Sequence, residues 1–257
     1  MSTAPQIEIQ DLTMAYGSYV VMQGINAQIK RGSVFVIMGN SGSGKSTLLR
    51  HMIGLQRPAH GDVLYEGRSF WGMDDDGRAI ELRKCGVLFQ GGALWSSMTL
   101  AENIALPLTE YTDWSPSELY DIVRLKLALV GLSGFEEHYP SEISGGMRTR
   151  AGLARAMALD PEILFLDEPS SGLDPISSRN LDQLILELRD SLGATVVVVS
   201  HELASIFTIA DDSIFLDAET RTMRAHGNPK ELLEHSTDAK LKTFLTRGDT
   251  EMPHAIA

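Results

Sequence analysis

A chain of 257 residues with 43% hydrophobic and 22% charged side chains has the make-up of a globular protein with a sizeable core. Its net charge of −12 argues against a general nucleic-acid binder, because phosphate neutralisation needs surplus Lys and Arg. The single cysteine, Cys85, excludes an internal disulfide and fits a reducing compartment.

The opening Met1-Ser2-Thr3-Ala4-Pro5-Gln6 lacks the charged and apolar regions of a signal peptide, and no apolar run approaches membrane-spanning length. Any membrane role is therefore expected to come through a partner. Residues 6–31 alternate apolar and polar side chains around Ile7-Glu8-Ile9, Val20-Val21-Met22 and Ile25-Asn26-Ala27-Gln28-Ile29, with Gly17 and Gly24 read as turns. That pattern predicts an antiparallel sheet. Tyr16 falls in a turn between two of its strands, where an aromatic ring stacks on a purine or simply ends a strand.

Val34-Phe35-Val36-Ile37-Met38 reads as a buried strand, and Leu48-Leu49-Arg50-His51-Met52-Ile53 as the first turns of a helix. Between them lies Gly39-Asn40-Ser41-Gly42-Ser43-Gly44-Lys45-Ser46-Thr47, the G-x-x-x-x-G-K-[ST] pattern in its strand–loop–helix context. Glycines let successive backbone N–H groups face a polyphosphate, and the helix N-terminus adds positive potential. Lys45 reaches the β- and γ-phosphates in such a loop, and the Ser46 hydroxyl ligates Mg²⁺. The stretch predicts binding of a nucleoside triphosphate.

Asp62-Val63-Leu64-Tyr65 is a short predicted strand, and Asp74-Asp75-Asp76 reads as a solvated acidic loop. Cys85-Gly86-Val87-Leu88-Phe89-Gln90 is another apolar strand, ending on an amide and Gly91-Gly92. Residues 97–140 read as helical, over 100–106 and again after Ser115-Pro116-Ser117-Glu118. Glu142-Ile143-Ser144-Gly145-Gly146-Met147 opens a further helix; its free N–H groups form an anion site or a plain cap.

Ile163-Leu164-Phe165-Leu166-Asp167-Glu168 is an apolar strand closing on two carboxylates. Ionised groups at the end of a buried strand need a metal, a partner or a reaction. Beside a P-loop, Asp167 reads as a Mg²⁺ partner and Glu168 as the base that orients the attacking water. Ser171-Gly172-Leu173-Asp174-Pro175 makes a turn before a helix over about 176–192. Ala194-Thr195-Val196-Val197-Val198-Val199-Ser200-His201 is a strand with a polar tip on the P-loop edge, if the strands are parallel. Ile214-Phe215-Leu216 reads as the last strand, Pro229-Lys230-Glu231-Leu232-Leu233 as a helix start, and the residues from Arg247 on as a loose tail.

Together these stretches resemble the ATP-binding subunit of an ABC transporter over nearly the whole chain. The resemblance implies an α/β fold: a RecA-like P-loop NTPase core with an N-terminal antiparallel β subdomain (1–90 and 160–228), an inserted helical subdomain (91–159) and C-terminal helices with a tail (229–257). It makes Tyr16 the adenine-stacking aromatic, 39–47 the Walker A loop, Gln90 the Q-loop glutamine and Ser144-Gly145-Gly146 the signature motif. It makes 163–168 the Walker B strand, Ser171-Gly172-Leu173-Asp174 the D-loop and His201 the switch histidine. ATP and Mg²⁺ are the implied cofactors, with Ser46, Gln90 and Asp167 around the metal and Lys45, Gln90, Glu168 and His201 in catalysis. Where the family's signature usually ends in Gln, this chain has Met147, which cannot supply an amide's hydrogen bonds.

Met147, the 89–95 segment Phe89-Gln90-Gly91-Gly92-Ala93-Leu94-Trp95, Pro107-Leu108, and Phe244-Leu245 with the Gly248 and Pro253 tail are similar to one branch, the Mla/MCE-type lipid transporters. That similarity implies a head-to-tail pair of copies bound to a membrane permease and an MCE-type lipid-binding subunit, at the cytoplasmic face of the inner membrane, with no nucleic acid. The permease contact is expected at 91–108, where Leu94, Trp95 and Met98 are either a docking groove or ordinary core. The rival class is an ABC ATPase acting on nucleic acid or ribosomes; one cassette, no zinc-type cysteines and an acidic balance disfavour it.

Overall fold

The computed structural model describes residues 5–247, so the tail expected around Gly248 and Pro253 lies outside the described residues. Its elements in chain order are β1 (Ile7–Tyr16), β2 (Tyr19–Ile29), β3 (Val34–Gly39), α1 (Lys45–Met52), β4 (His60–Tyr65), β5 (Arg68–Ser69), α2 (Asp75–Arg83) and β6 (Cys85–Leu88). Then come α3 (Leu100–Tyr111), α4 (Pro116–Leu129), α5 (Gly145–Ala156), β7 (Ile163–Asp167), α6 (Pro175–Leu192), β8 (Thr195–Ser200), α7 (Leu203–Ile209), β9 (Asp212–Asp217), β10 (Thr222–His226), α8 (Pro229–His235) and α9 (Ala239–Leu245).

Two sheets result. The first is antiparallel, in the order β2-β1-β4-β5; the second runs β10-β9-β3-β8-β7-β6 and is parallel except for β10. Strand alternation sends successive side chains to opposite faces. Val34, Val36 and Met38 of β3, Leu164 and Leu166 of β7, and Val196 and Val198 of β8 therefore join the core beneath the helices. Phe35, Ile37, Phe165, Val197 and Val199 join the core shared with the antiparallel sheet and α1. Strands buried on both faces leave no room for polar alternation, which is why these read as continuous apolar runs. The parallel strands all end on one edge, at Leu88, Gly39, Asp167, Ser200 and Asp217.

Four sequence expectations change. Asp74-Asp75-Asp76 is no loop: Asp74 caps α2, its carboxylate accepting from the Gly77 N–H at 2.8 Å, and the acidic first turn suits the helix dipole. Gly24 is no turn but an interior residue of β2 at φ 65, where the β1–β2 register shifts. The strand around Ile214 is not the last, because Thr222–His226 pairs with it antiparallel. The helix begun at Leu100 continues through Pro107 to Tyr111, on a capping box of Thr99 and Glu102.

Candidate active site

Where β3 meets α1 the chain wraps around nothing of its own. Gly39, at φ 153, would put a Cβ 2.5 Å from the Leu216 carbonyl oxygen and 2.6 Å from Ser43 Oγ, so only glycine fits. Gly44 opens α1 in the left-handed region at φ 81, and no side chain caps the helix. Ser43 Oγ is buried with no hydrogen-bond partner. An uncapped helix end beside an orphaned buried hydroxyl is a site short of an acceptor.

Lys45 folds back over this loop. Its Nζ donates to the Gly39 carbonyl at 2.9 Å and the Asn40 carbonyl at 3.1 Å, and lies 3.7 Å from Glu168 Oε1. Burial lowers its pKa, and the Glu168 carboxylate opposes that fall. The next residue, Ser46, donates from Oγ to Asp167 Oδ1 at 2.8 Å, joining the start of α1 to the end of β7.

Glu168 follows β7 with φ 49, left-handed for a residue that is not glycine. Such a backbone costs about 1 kcal/mol or more and persists only where its surroundings fix it. Here the Glu168 N–H donates to the Val199 carbonyl at 3.0 Å, and the carboxylate turns beside Lys45. His201 Nδ1, just beyond β8, lies 2.7 Å from Glu168 Oε2 without the alignment of a hydrogen bond.

A cleft of about 530 Å³ gathers Tyr16, Ser41, Gly42, Ser43, Gly44, Lys45, Ser46, Thr47, Gln90, Glu168 and His201. Gly39 and Asn40 reach it through their carbonyls on Lys45, and Asp167 through Ser46. Gln90 begins a single 3-10 turn over Gln90–Gly92, its amide 3.5 Å from Ser171 Oγ. Tyr16, 51% exposed, is fixed by its hydroxyl, which donates to Gln56 Oε1 at 3.1 Å. Ser144, Gly145 and Gly146 are not part of this cleft. They start α5 elsewhere, with Ser144 Oγ accepting from the Met147 N–H at 3.2 Å, and Met147 packs on the core under the helices.

Sequence reasoning missed Tyr19 and Val21, which also line the cleft. The signal was present for Tyr19: a hairpin turning at Gly17 places it directly opposite Tyr16. Of the three loop hydrophobes, Leu94 packs on the core, Met98 is half-buried and Trp95 is exposed. Asn103 staples their loop, accepting from the Trp95 N–H and donating to the Trp95, Met98 and Thr99 carbonyls.

A parallel sheet with a phosphate cradle after β3 and two carboxylates after β7 defines a P-loop nucleoside triphosphatase. The profile of the family described as ABC transporter matches residues 22–171. Over 244 residues the chain is 38% identical to the intermembrane phospholipid transport system ATP-binding protein MlaF of Escherichia coli, covering 95% of this chain and 90% of that one. It is 42% identical over 241 residues to the probable ribonucleotide transport ATP-binding protein mkl of Mycobacterium tuberculosis, covering 93% of this chain but spanning only 66% of that protein's length. Among solved structures, a dimeric post-hydrolysis ATP-binding cassette bound to ADP and Pi superposes with a TM-score of 0.78 at 30% identity, covering 86% of this chain and 98% of that one. The chain belongs to the ABC transporter family and is its ATPase cassette.

Proposed function

We propose that this chain powers a membrane transporter of phospholipids or related hydrophobic compounds, working as a head-to-tail pair of copies beneath a permease. The observation that carries the ATPase half of the reading is the junction of Lys45, Glu168 and His201 with the Ser46–Asp167 pair in one cleft. The transport half rests on the likeness to the phospholipid-transport protein over nine-tenths of both chains.

The residues fit both ligands. Orphaned Ser43 Oγ, the uncapped start of α1 and the Lys45 ammonium suit a triphosphate. Ser46 Oγ and the Asp167 carboxylate, with Gln90 on the same cleft, are the hard oxygen donors that suit Mg²⁺. Among the described residues no group of three or more His, Cys, Asp or Glu could hold a metal by itself, so a bound Mg²⁺ would take further ligands from the phosphates. Bound there, Mg²⁺ would neutralise phosphate charge and lower the barrier to its transfer.

Glu168 then orients a water on the γ-phosphorus and takes its proton. The new P–O bond forms as the bond to the β-phosphate oxygen breaks, leaving ADP and phosphate. His201, beside the Glu168 carboxylate, contacts the γ-phosphate, and Lys45 meets the charge on the phosphates. The Ser144-Gly145-Gly146 end of α5 lies outside its own cleft, so the second copy's α5 would cap the nucleotide. Catalysis of this kind is chiefly positioning, and closing two copies around ATP converts positioning into movement.

Among the described residues no helix is long and apolar enough to cross a membrane, so the path for cargo has to come from another subunit. A groove of about 380 Å³ between α2–β6 and α3–α5, lined by Leu82, Arg83, Pro107, Tyr111 and Arg155, supports a docking face next to the expected 91–108 segment. The MCE-type subunit and the inner-membrane position belong to the same proposal. The test is to isolate the chain with its membrane partners and reconstitute them in vesicles. ATP-dependent movement of labelled phospholipid supports the reading; movement of ribonucleotides with lipid unmoved replaces its cargo, and ATP turnover independent of any permease removes the transport half.

A further inference from the structure

The base end of the cleft carries an aromatic side chain without an assigned role. Tyr16 and Tyr19 are partners in the β1–β2 register, and directly opposed residues of a hairpin project from the same face. Both rings line the cleft that holds Lys45, and both stand far out of the core, at 51% and 56% exposure. Two exposed aromatic rings side by side on a cleft form a contiguous apolar patch of the kind that marks a ligand site.

Each ring is fixed by a different device. The hydroxyl of Tyr16 is tied to Gln56, beyond the end of α1. Tyr19 is instead covered by Arg221, whose Cζ lies 4.8 Å from the ring centroid. Arg221 sits at φ 53 in the turn between β9 and β10, and its carbonyl accepts from the Gln23 N–H of β2 at 3.0 Å. The turn that carries the guanidinium is thus pinned to the strand that carries the tyrosine. A cation over one face restrains the ring while leaving the opposite face available for stacking.

We propose that Tyr19, restrained by Arg221, is a second nucleoside-contacting ring, so that base and ribose are held by a two-tyrosine edge rather than by Tyr16 alone. The proposal rests on the reading of this cleft as the ATP site and adds to it a specificity element drawn from the far edge of the second sheet. In that arrangement the phosphates are gripped by backbone and Lys45, while discrimination for a nucleoside over bare polyphosphate comes from the hairpin. Arg221 is a positioning residue: it acts on the nucleotide through the Tyr19 ring.

The experiment compares equilibrium binding of ATP and of inorganic tripolyphosphate, each with Mg²⁺, to the full chain by calorimetry. Tyr19→Ala should weaken ATP about tenfold, as loss of one stacking contact does, and leave tripolyphosphate unchanged. Tyr19→Phe should bind ATP as the parent does, because the ring and not the hydroxyl carries the contact. Arg221→Ala should fall between them for ATP, Arg221→Lys should restore most of the loss, and neither should alter tripolyphosphate. Unchanged ATP affinity in Tyr19→Ala overturns the proposal, as does an equal loss for both ligands, which would mark a distorted loop. Melting temperature checks folding; should Tyr19→Ala unfold, the Tyr19→Leu variant, which keeps bulk without the ring, takes its place with the same expected split. If the parent chain bound neither ligand, the ATP-site reading itself would fail, a result distinct from any of these.

Discussion

Two helix starts in this molecule are built from similar residues to opposite ends. Before α1 the chain offers glycines, a buried Ser43 hydroxyl with no partner and no capping side chain. Before α5 it offers Ser144 with its own cap bond to Met147, at an exposed position. The first is unfinished in the free chain and has a cation, Lys45, folded across it; the second is satisfied by itself. A self-capped helix end is a weak anion site alone, and gains force only when a second surface brings the anion and excludes water. On the proposed function, the contrast would let one chain bind nucleotide alone while a copy of itself completes the site.

The largest expected effect tests the unfinished side. Glu168→Gln keeps the size of the side chain but cannot accept the proton, so turnover should fall about 10²–10⁴-fold with ATP affinity held. Measured hydrolysis near the parent rate would move the base elsewhere. Lys45→Ala should act earlier, weakening ATP binding by roughly a hundredfold through loss of a charged hydrogen-bonding group at the phosphates. Calorimetry separates the two variants, because only the second should lose heat of binding.

A serine pair then sharpens the comparison. Ser43→Ala removes a buried hydroxyl that pairs with nothing, so the free chain should melt at or slightly above the parent temperature while ATP binding weakens several-fold. Ser144→Ala removes a working cap and should cost about 1 kcal/mol of stability, with ATP binding by the single chain unaffected. The reverse pattern in thermal melts would erase the distinction between the two ends. The smallest effect lies away from both. Burial opposes ionisation of Asp217, but bonds from Lys240, the Glu219 N–H, Thr220 and Arg224 prevail and hold its pKa down to about 2 from 3.8. With the folded value depressed, its stabilisation is complete above the unfolded value and is lost as pH falls toward about 2. Hydrogen exchange in α9, which carries Lys240, should rise over that acid window, and Asp217→Asn should reduce the pH dependence to the part carried by Asp238, which caps α9 and whose pKa is also lowered.

The strands and the phosphate loop were legible because few residue types permit them. Only β-branched and apolar runs survive burial on both faces, and only glycine fits at Gly39. What escaped depends on particular hydrogen bonds and partners that hydrophobic patterning does not show. Asp74 reads as an acidic loop until its cap bond to Gly77 is known. Thr222–His226 lacks an apolar run because it is an edge strand whose side chains are half-buried or exposed, with none fully buried. Tyr19 was within reach through the Gly17 hairpin, whereas its contact with Arg221 follows from no local pattern. The Ser144 segment was recognised as a helix start, but its distance from Lys45 is a property of the fold, not of the residues.

The turn that follows Gln90 is joined to α5 with no slack. A methyl at Gly92 would stand 2.7 Å from the Arg148 carbonyl oxygen, and one at Gly152 would stand 2.8 Å from Gly92. Arg155 closes the seam by donating to the Gly92 and Ala93 carbonyls at 3.0 and 2.9 Å. Two backbones in such close contact leave little room for one to move without the other. On the proposed function, a shift of Gln90 beside a phosphate would pass through this seam to α5, whose Ser144 end would move with it.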